Sequence, residues 1–194
     1  MKLPLNCTAE YFSDFLSPKE ADQLFHYLIS HFDLSNFEIK LPGGASFWTH
    51  YGKLTFLEDD IIHGNKMNPS ELNISSVWTE PILPIKKRVE ALTGRHFGVG
   101  VCIHYPDGNS GVDYHDDRPN FGDTTVLPSL SLGEEREFCL REKATGEVYS
   151  LTLKNGSLLV MGEHCQERYE HALPENPKYK NPRINITFRQ FGNI

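Results

Sequence analysis

The sequence predicts an α+β fold in which helices back one face of a β-sandwich or rolled barrel. Three observations lead there. Two amphipathic helical patterns lie in the first half of the chain. After Gly94 the texture changes to six short segments rich in β-branched and aromatic residues, separated by turn signals. No internal repeat, low-complexity tract or linker interrupts the 194 residues, so 1–194 is expected to be one domain.

The first helix is announced by Ser17-Pro18-Lys19-Glu20. Ser17 suits the cap, Pro18 the first helical position, and Glu20 completes a capping box. Ala21, Leu24, Phe25 and Leu28 then recur at helical spacing, taking the helix to about residue 31. Residues 57–74 are polar and irregular and read as loop, with Glu58-Asp59-Asp60 as a solvated acidic run. A second helix is predicted over 80–93, with Ile82, Ile85, Val89 and Leu92 on one face and Gly94 as its C-terminal cap. Lys86-Lys87-Arg88 is read as its solvated face. Strands are predicted at 97–105, 127–132, 137–141, 148–153, 157–161 and 183–191. Turns stand at Pro106-Asp107-Gly108-Asn109, Gly133-Glu134, Thr145-Gly146 and Asn155-Gly156, the last with the signature of a tight hairpin.

Composition sets further bounds. The chain is 39% hydrophobic and 23% charged, enough apolar side chain to bury a core and unlike a disordered chain. No apolar run approaches the roughly 18–20 residues of a membrane span, and no membrane partner is expected. The N-terminal residues show no secretory signal pattern. Cys7, Cys102, Cys139 and Cys165 are scattered and form no C-x-x-C pair, which suits reduced thiols in a cytoplasmic protein, or a nuclear one in a eukaryote; a monomer is expected. The sequon at Asn73 is then without consequence. A net charge of −7 argues against strong non-specific binding to duplex nucleic acid.

Three features carry chemistry. His115 and Asp117 are two residues apart, which on a strand places both side chains on one face. An imidazole and a carboxylate so placed are two of the three ligands of a facial triad for non-haem Fe(II). His171 is a candidate third ligand. Arg183-Ile184-Asn185-Ile186-Thr187-Phe188-Arg189 alternates without a break, so Arg183, Asn185, Thr187 and Arg189 share a face. Two arginines bracketing an amide and a hydroxyl suit a dicarboxylate, because guanidinium pairs with carboxylate through forked, charge-assisted hydrogen bonds. An ordinary strand with its polar side in water would show the same alternation.

The order His-x-Asp, a second His, and R-x-N-x-T-x-R near the C-terminus resembles the AlkB family of Fe(II)- and 2-oxoglutarate-dependent dioxygenases. The likeness extends over most of the chain. It includes Trp48-Thr49-His50-Tyr51-Gly52, the helix ending Leu92-Thr93-Gly94, and Tyr105 ten residues before His115. It also includes Pro128-Ser129-Leu130-Ser131-Leu132-Gly133 and Asn155-Gly156-Ser157-Leu158-Leu159-Val160-Met161.

The resemblance implies a double-stranded β-helix (jelly-roll) core with N-terminal helices packed on one face. It implies that His115, Asp117 and His171 bind Fe(II). Arg183 and Tyr105 would hold the distal carboxylate of 2-oxoglutarate, with Asn185 and Arg189 at its other end. It implies O2-dependent oxidation of a substrate C–H, coupled to decarboxylation of 2-oxoglutarate to succinate. On an N-methylated base of single-stranded DNA or RNA, as in DNA repair, that oxidation releases formaldehyde. Trp48 and Tyr51 are candidates for stacking on a flipped base. The chain departs from the family at Arg118 and Pro119, where base-repairing members usually carry an acidic residue, at Ile103, where an Asn is usual, and at Ser46, where an Arg is common. These departures and the acidic net charge leave a second expectation open: the same chemistry on a protein side chain or a small molecule.

Overall fold

The computed structural model describes residues 1–40, 44–64, 66–67 and 74–192; Asn73 and part of the 57–74 segment lie outside the described residues. Helix α1 is Pro18–His31, and its entry is the expected capping box: the Ser17 side chain accepts from the Glu20 amide while the Glu20 carboxylate accepts from the Ser17 amide. Ala21, Leu24 and Leu28 are its buried stripe. Helix α3, Ile82–Thr93, starts two residues later than predicted, after Pro81, and ends on Gly94 in the left-handed region (φ 65°). Ile82, Ile85 and Val89 are buried, whereas Leu92 in the last turn is exposed. Between them lies a short helix α2, Asp59–His63, where the polar run reads as loop. Glu58 is not a free acid of that run. It pairs with Lys86 at 3.1 Å and His96 at 3.0 Å.

Lys86 is also unlike the predicted solvated lysine. Its side chain is buried and bridges Glu58 and Glu90, and Arg88 bonds Glu20 across to α1. Lys87 is exposed and alone of the basic cluster has no ion pair among the described residues. Burying the stem of Lys86 is tolerable because two carboxylates replace its lost hydration.

The strands form two sheets. The larger runs β1 (Ala9–Phe12), β10 (Leu158–Met161), β7 (Leu127–Gly133), β12 (Arg183–Arg189), β5 (Val99–Tyr105), β3 (Ser46–Leu57) and β2 (Asn36–Lys40), with β4 (Ser75–Val77) added to β3. The smaller runs β6 (Val112–His115), β11 (Tyr169–Leu173), β8 (Arg136–Glu142) and β9 (Val148–Leu153). Both are antiparallel apart from the β3–β4 pair. Asn155-Gly156 does not make a hairpin, because β9 and β10 belong to different sheets. It carries the chain across instead, and Asn155 fixes the crossing through Gly133 and Asp22. The β8–β9 hairpin turns at Thr145-Gly146.

The larger sheet sorts its two faces in a way that positions the site. Ile184, Ile186 and Phe188 of β12 are fully buried on the outer face, beneath α1 and α3, with Leu130, Leu132 and Cys102. Each such side chain contributes roughly 1.5–3 kcal/mol by leaving water. Trp78 stacks between Phe56 and Phe188 with ring centroids 5.4 and 5.9 Å away. Its indole lies over Gly100, where a Cβ would fall 2.3 Å from the ring, so only glycine fits. The polar positions of β12 therefore point inward, between the sheets, rather than to water.

Candidate metal and co-substrate site

The inner face can be read from the registers. Tyr105 of β5 lies opposite Arg183, Ile103 opposite Asn185 and Val101 opposite Thr187. On the far side of β12, Asn185 faces Ser131 and Thr187 faces Ser129. Beyond β5, Lys53 of β3 faces Ile103. Directly paired residues share a face. These rows line a cavity of about 240 Å³, which the smaller sheet closes with Val112, His115, Phe138, His171 and Leu173.

His115 and His171 are direct partners in the β6–β11 pair, with ring centroids 4.4 Å apart. β6 ends at His115, so Asp117 sits two residues beyond the strand instead of on it. A hydrogen bond from its backbone amide to Gln166 (2.8 Å) holds that loop. One potential ligand atom from each of His115, Asp117 and His171 lies within 4.8 Å of the others. His115 Nδ1 is 2.8 Å from the Asp113 carbonyl, leaving Nε2 for the cavity. His171 is buried, and that desolvation pushes its pKa down to about 4, against the opposing pull of Asp117. It is thus a neutral imidazole at ordinary pH, the form a metal requires. A two-histidine, one-carboxylate donor set without thiolate fits Fe(II).

Arg183 is buried, donates to Ser131 Oγ at 2.9 Å and lies 5.5 Å from the Tyr105 ring centroid. Burial lowers its pKa to about 10 and raises that of Tyr105. Arg189 bonds the Asp117 carboxylate and the Arg118 carbonyl. Among the described residues, both arginines leave a buried Nε without a hydrogen-bond partner. Buried guanidinium donors are seldom left unpaired, and two of them lining one cavity fit the two carboxylates of 2-oxoglutarate. Asn185 also lines the cavity, but its amide is engaged by Ser129 (2.7 Å), Leu130 (3.1 Å) and Thr187 (3.1 Å). It braces the row of polar groups.

The structure thus gathers His115, Asp117, His171, Tyr105, Arg183, Asn185, Arg189 and Tyr51 around one space. It does not bring Trp48 there. Trp48 is 65% exposed, and it lies an odd number of residues from Tyr51 on a strand whose faces alternate. Sequence reasoning missed Lys53, which shares the inward face with Tyr51, and Ser129 and Ser131, whose alternation in β7 was a legible signal. It also missed Arg136. This fully buried guanidinium donates to the carbonyls of Asp107 (3.2 Å), Ser110 (2.8 Å) and Pro174 (2.8 Å). It thereby pins the loops before β6 and after β11, the two strands that carry the histidines.

A family profile described as the 2OG-Fe(II) oxygenase superfamily matches residues 8–189. The chain belongs to this superfamily. Its AlkB-like resemblance is borne out by curated relatives. Over 149 residues it is 32% identical to the alpha-ketoglutarate-dependent dioxygenase alkB homolog 3 of Mus musculus, covering 72% of this chain and 49% of that protein. Over 122 residues it is 31% identical to the DNA oxidative demethylase ALKBH2 of Bos taurus, covering 58% and 44%. The chain spans about half the length of the curated relatives it matches. Among solved structures, OsALKBH1 superposes with a TM-score of 0.68 at 13% identity, covering 97% of this chain and all of that one. That likeness bears out the jelly-roll core of this AlkB-like oxygenase chain.

Proposed function

We propose that the protein is an Fe(II)- and 2-oxoglutarate-dependent dioxygenase that removes N-methyl groups from bases of single-stranded DNA or RNA. Formaldehyde, succinate and CO2 are the products. The observation that carries the dioxygenase chemistry is the cavity in which His115, Asp117 and His171 stand with two arginines whose buried Nε donors are unpaired among the described residues; the nucleic-acid substrate is supported by the likeness to the DNA oxidative demethylase ALKBH2. Fe(II), bound with 2-oxoglutarate and O2, supplies the oxidant for the substrate C–H bond. The chain's own residues hold and orient. His115, Asp117 and His171 hold the metal; Arg183 with Tyr105 anchors one carboxylate, and Arg189 reaches the other end. Leu173, Met161, Val112 and Phe138 give the cavity an apolar wall against which the reacting carbon would lie. Tyr51 offers an aromatic face at the cavity wall, edge-on to Phe37. Hydroxylation of an N-methyl carbon gives a hemiaminal, which loses formaldehyde and returns the N–H.

The second reading, the same oxidation on a protein side chain or small molecule, is favoured by Arg118-Pro119 after the ligand Asp117 and by the net charge of −7. Mass spectrometry separates the two. A single strand carrying 1-methyladenine and 3-methylcytosine is incubated with protein, Fe(II), 2-oxoglutarate and O2. Loss of methyl groups matched by succinate supports the first reading. Succinate without methyl loss moves the search to proteins and metabolites.

A further inference from the structure

The cavity carries three cations, Lys53, Arg183 and Arg189, and one carboxylate, Asp117. Asp117 is taken by Arg189 and by its place in the triad. 2-Oxoglutarate brings two carboxylates, which the unpaired Nε groups of Arg183 and Arg189 match. Arg189 serves Asp117 through Nη2 and keeps Nε for the co-substrate, so in hydrogen-bond partners the ammonium of Lys53 is left over. Lys53 has no hydrogen-bond or ion-pair partner among the described residues. It is half-buried, and its in-register neighbour on β5, Ile103, offers its stem only apolar contact. Burial and the nearby Arg189 both disfavour its charge. A cation kept in such a place gains most from an anion arriving from outside. With the two carboxylates of 2-oxoglutarate met by the arginines of β12, the anion that suits Lys53, beside Tyr51 on the inward face of β3, belongs to a second molecule.

We infer that Lys53 recognises an anionic group on the molecule that is oxidised. That the group is a phosphate rests on the nucleic-acid reading above; that an anion binds there does not.

The test uses protein loaded with Zn(II) and 2-oxoglutarate, which cannot turn over. A trinucleotide containing 1-methyladenine and the nucleoside 1-methyladenosine are titrated by calorimetry into wild type, Lys53→Met and Lys53→Arg. Losing one charge-assisted hydrogen bond should weaken trinucleotide binding about tenfold or more in Lys53→Met. Nucleoside and 2-oxoglutarate affinities should hold within about twofold, and Lys53→Arg should recover most of the loss. A raised 2-oxoglutarate requirement with unchanged trinucleotide binding would overturn the inference, since Lys53 would then serve the co-substrate. A second arm separates the two readings. Lysines are reductively methylated with a 13C label, which keeps their charge, and the resonance absent from Lys53→Met is followed as inorganic phosphate and acetate are added. A saturable shift, in protein that binds no oligonucleotide, keeps the anion site and discards the nucleic acid. No shift with phosphate, acetate or trinucleotide overturns the inference.

Discussion

Replacing Arg183 by methionine should make the ligand-free protein more stable while destroying its hold on 2-oxoglutarate. Arg183 is 2% exposed, and among the described residues its guanidinium has no carboxylate partner and one hydrogen bond, to Ser131 at 2.9 Å. Burial lowers its pKa to about 10. The folded value lies below the unfolded one, so folding disfavours the charged form by roughly 3 kcal/mol. That penalty is present at neutral pH and is relieved only as pH rises above about 10. Methionine keeps much of the stem's packing and removes the charge, against the loss of about 1 kcal/mol for the Ser131 bond. A net gain of about 1–2 kcal/mol corresponds to a melting temperature higher by roughly 2–8 °C for a chain of this size. In the loaded protein the balance reverses. Two charge-assisted bonds at roughly 1.5–3 kcal/mol each are lost, and 2-oxoglutarate affinity should drop about 10²- to 10⁴-fold. Scanning calorimetry reads the first effect, and titration of 2-oxoglutarate into Mn(II)-loaded protein without O2 reads the second. Affinity within about threefold of wild type would refute the carboxylate assignment. A lower melting temperature in the ligand-free variant would refute the account of an uncompensated buried charge.

Four further outcomes are expected. His115→Ala and Asp117→Asn should each reduce Mn(II) binding and Fe(II)-dependent succinate formation to background; retained turnover in either removes the triad assignment. Arg136→Lys should cost several kcal/mol, because one ammonium cannot reach three carbonyls on two loops, and urea unfolding measures it. His171 has a folded pKa of about 4 against an ordinary 6.5, so the unfolded state binds the extra proton. Stability of the metal-free protein from this group is whole above about 6.5 and is lost toward about 4, by roughly 3 kcal/mol. Unfolding midpoints of wild type and His171→Gln across that range should differ in slope, and parallel curves would contradict it. Ser17→Ala should cost about 1 kcal/mol through the lost capping box, seen as a lower melting temperature without a change in 2-oxoglutarate affinity.

Elements with strong local chemistry were legible in the sequence: the Ser17 cap of α1, the Gly94 end of α3, and the unbroken alternation of β12. β11 was not, because Tyr169–Leu173 mixes polar and apolar residues on both faces and is buried except at the half-buried Glu170, so it shows no apolar period of two. β1 and β6 have four residues each, too few for a pattern to stand out. Asn155-Gly156 misled because a tight turn reads alike whether it joins partners or transfers the chain between sheets. Long-range pairings escaped altogether. The Arg189–Asp117 bond joins residues 72 positions apart, and the Lys86 bridge to Glu58 depends on how α3 packs beside the start of α2. The polar face of β12 could be listed from its spacing. That it looks inward was decided by Ile184, Ile186 and Phe188, which the helices cover from outside.

The division of labour between the sheets has a mechanical consequence. Both histidines stand on the smaller sheet, and the arginines stand on β12 of the larger. Metal and 2-oxoglutarate, once joined to one another, act as a rivet through the sandwich. Prying the sheets apart then requires breaking coordination or carboxylate bonds as well as exposing apolar surface. Loading should therefore slow unfolding and proteolysis of segments far from the cavity, by an amount that grows with ligand concentration over its dissociation constant. The sandwich holds the chemistry in place, and the chemistry in turn holds the sandwich shut.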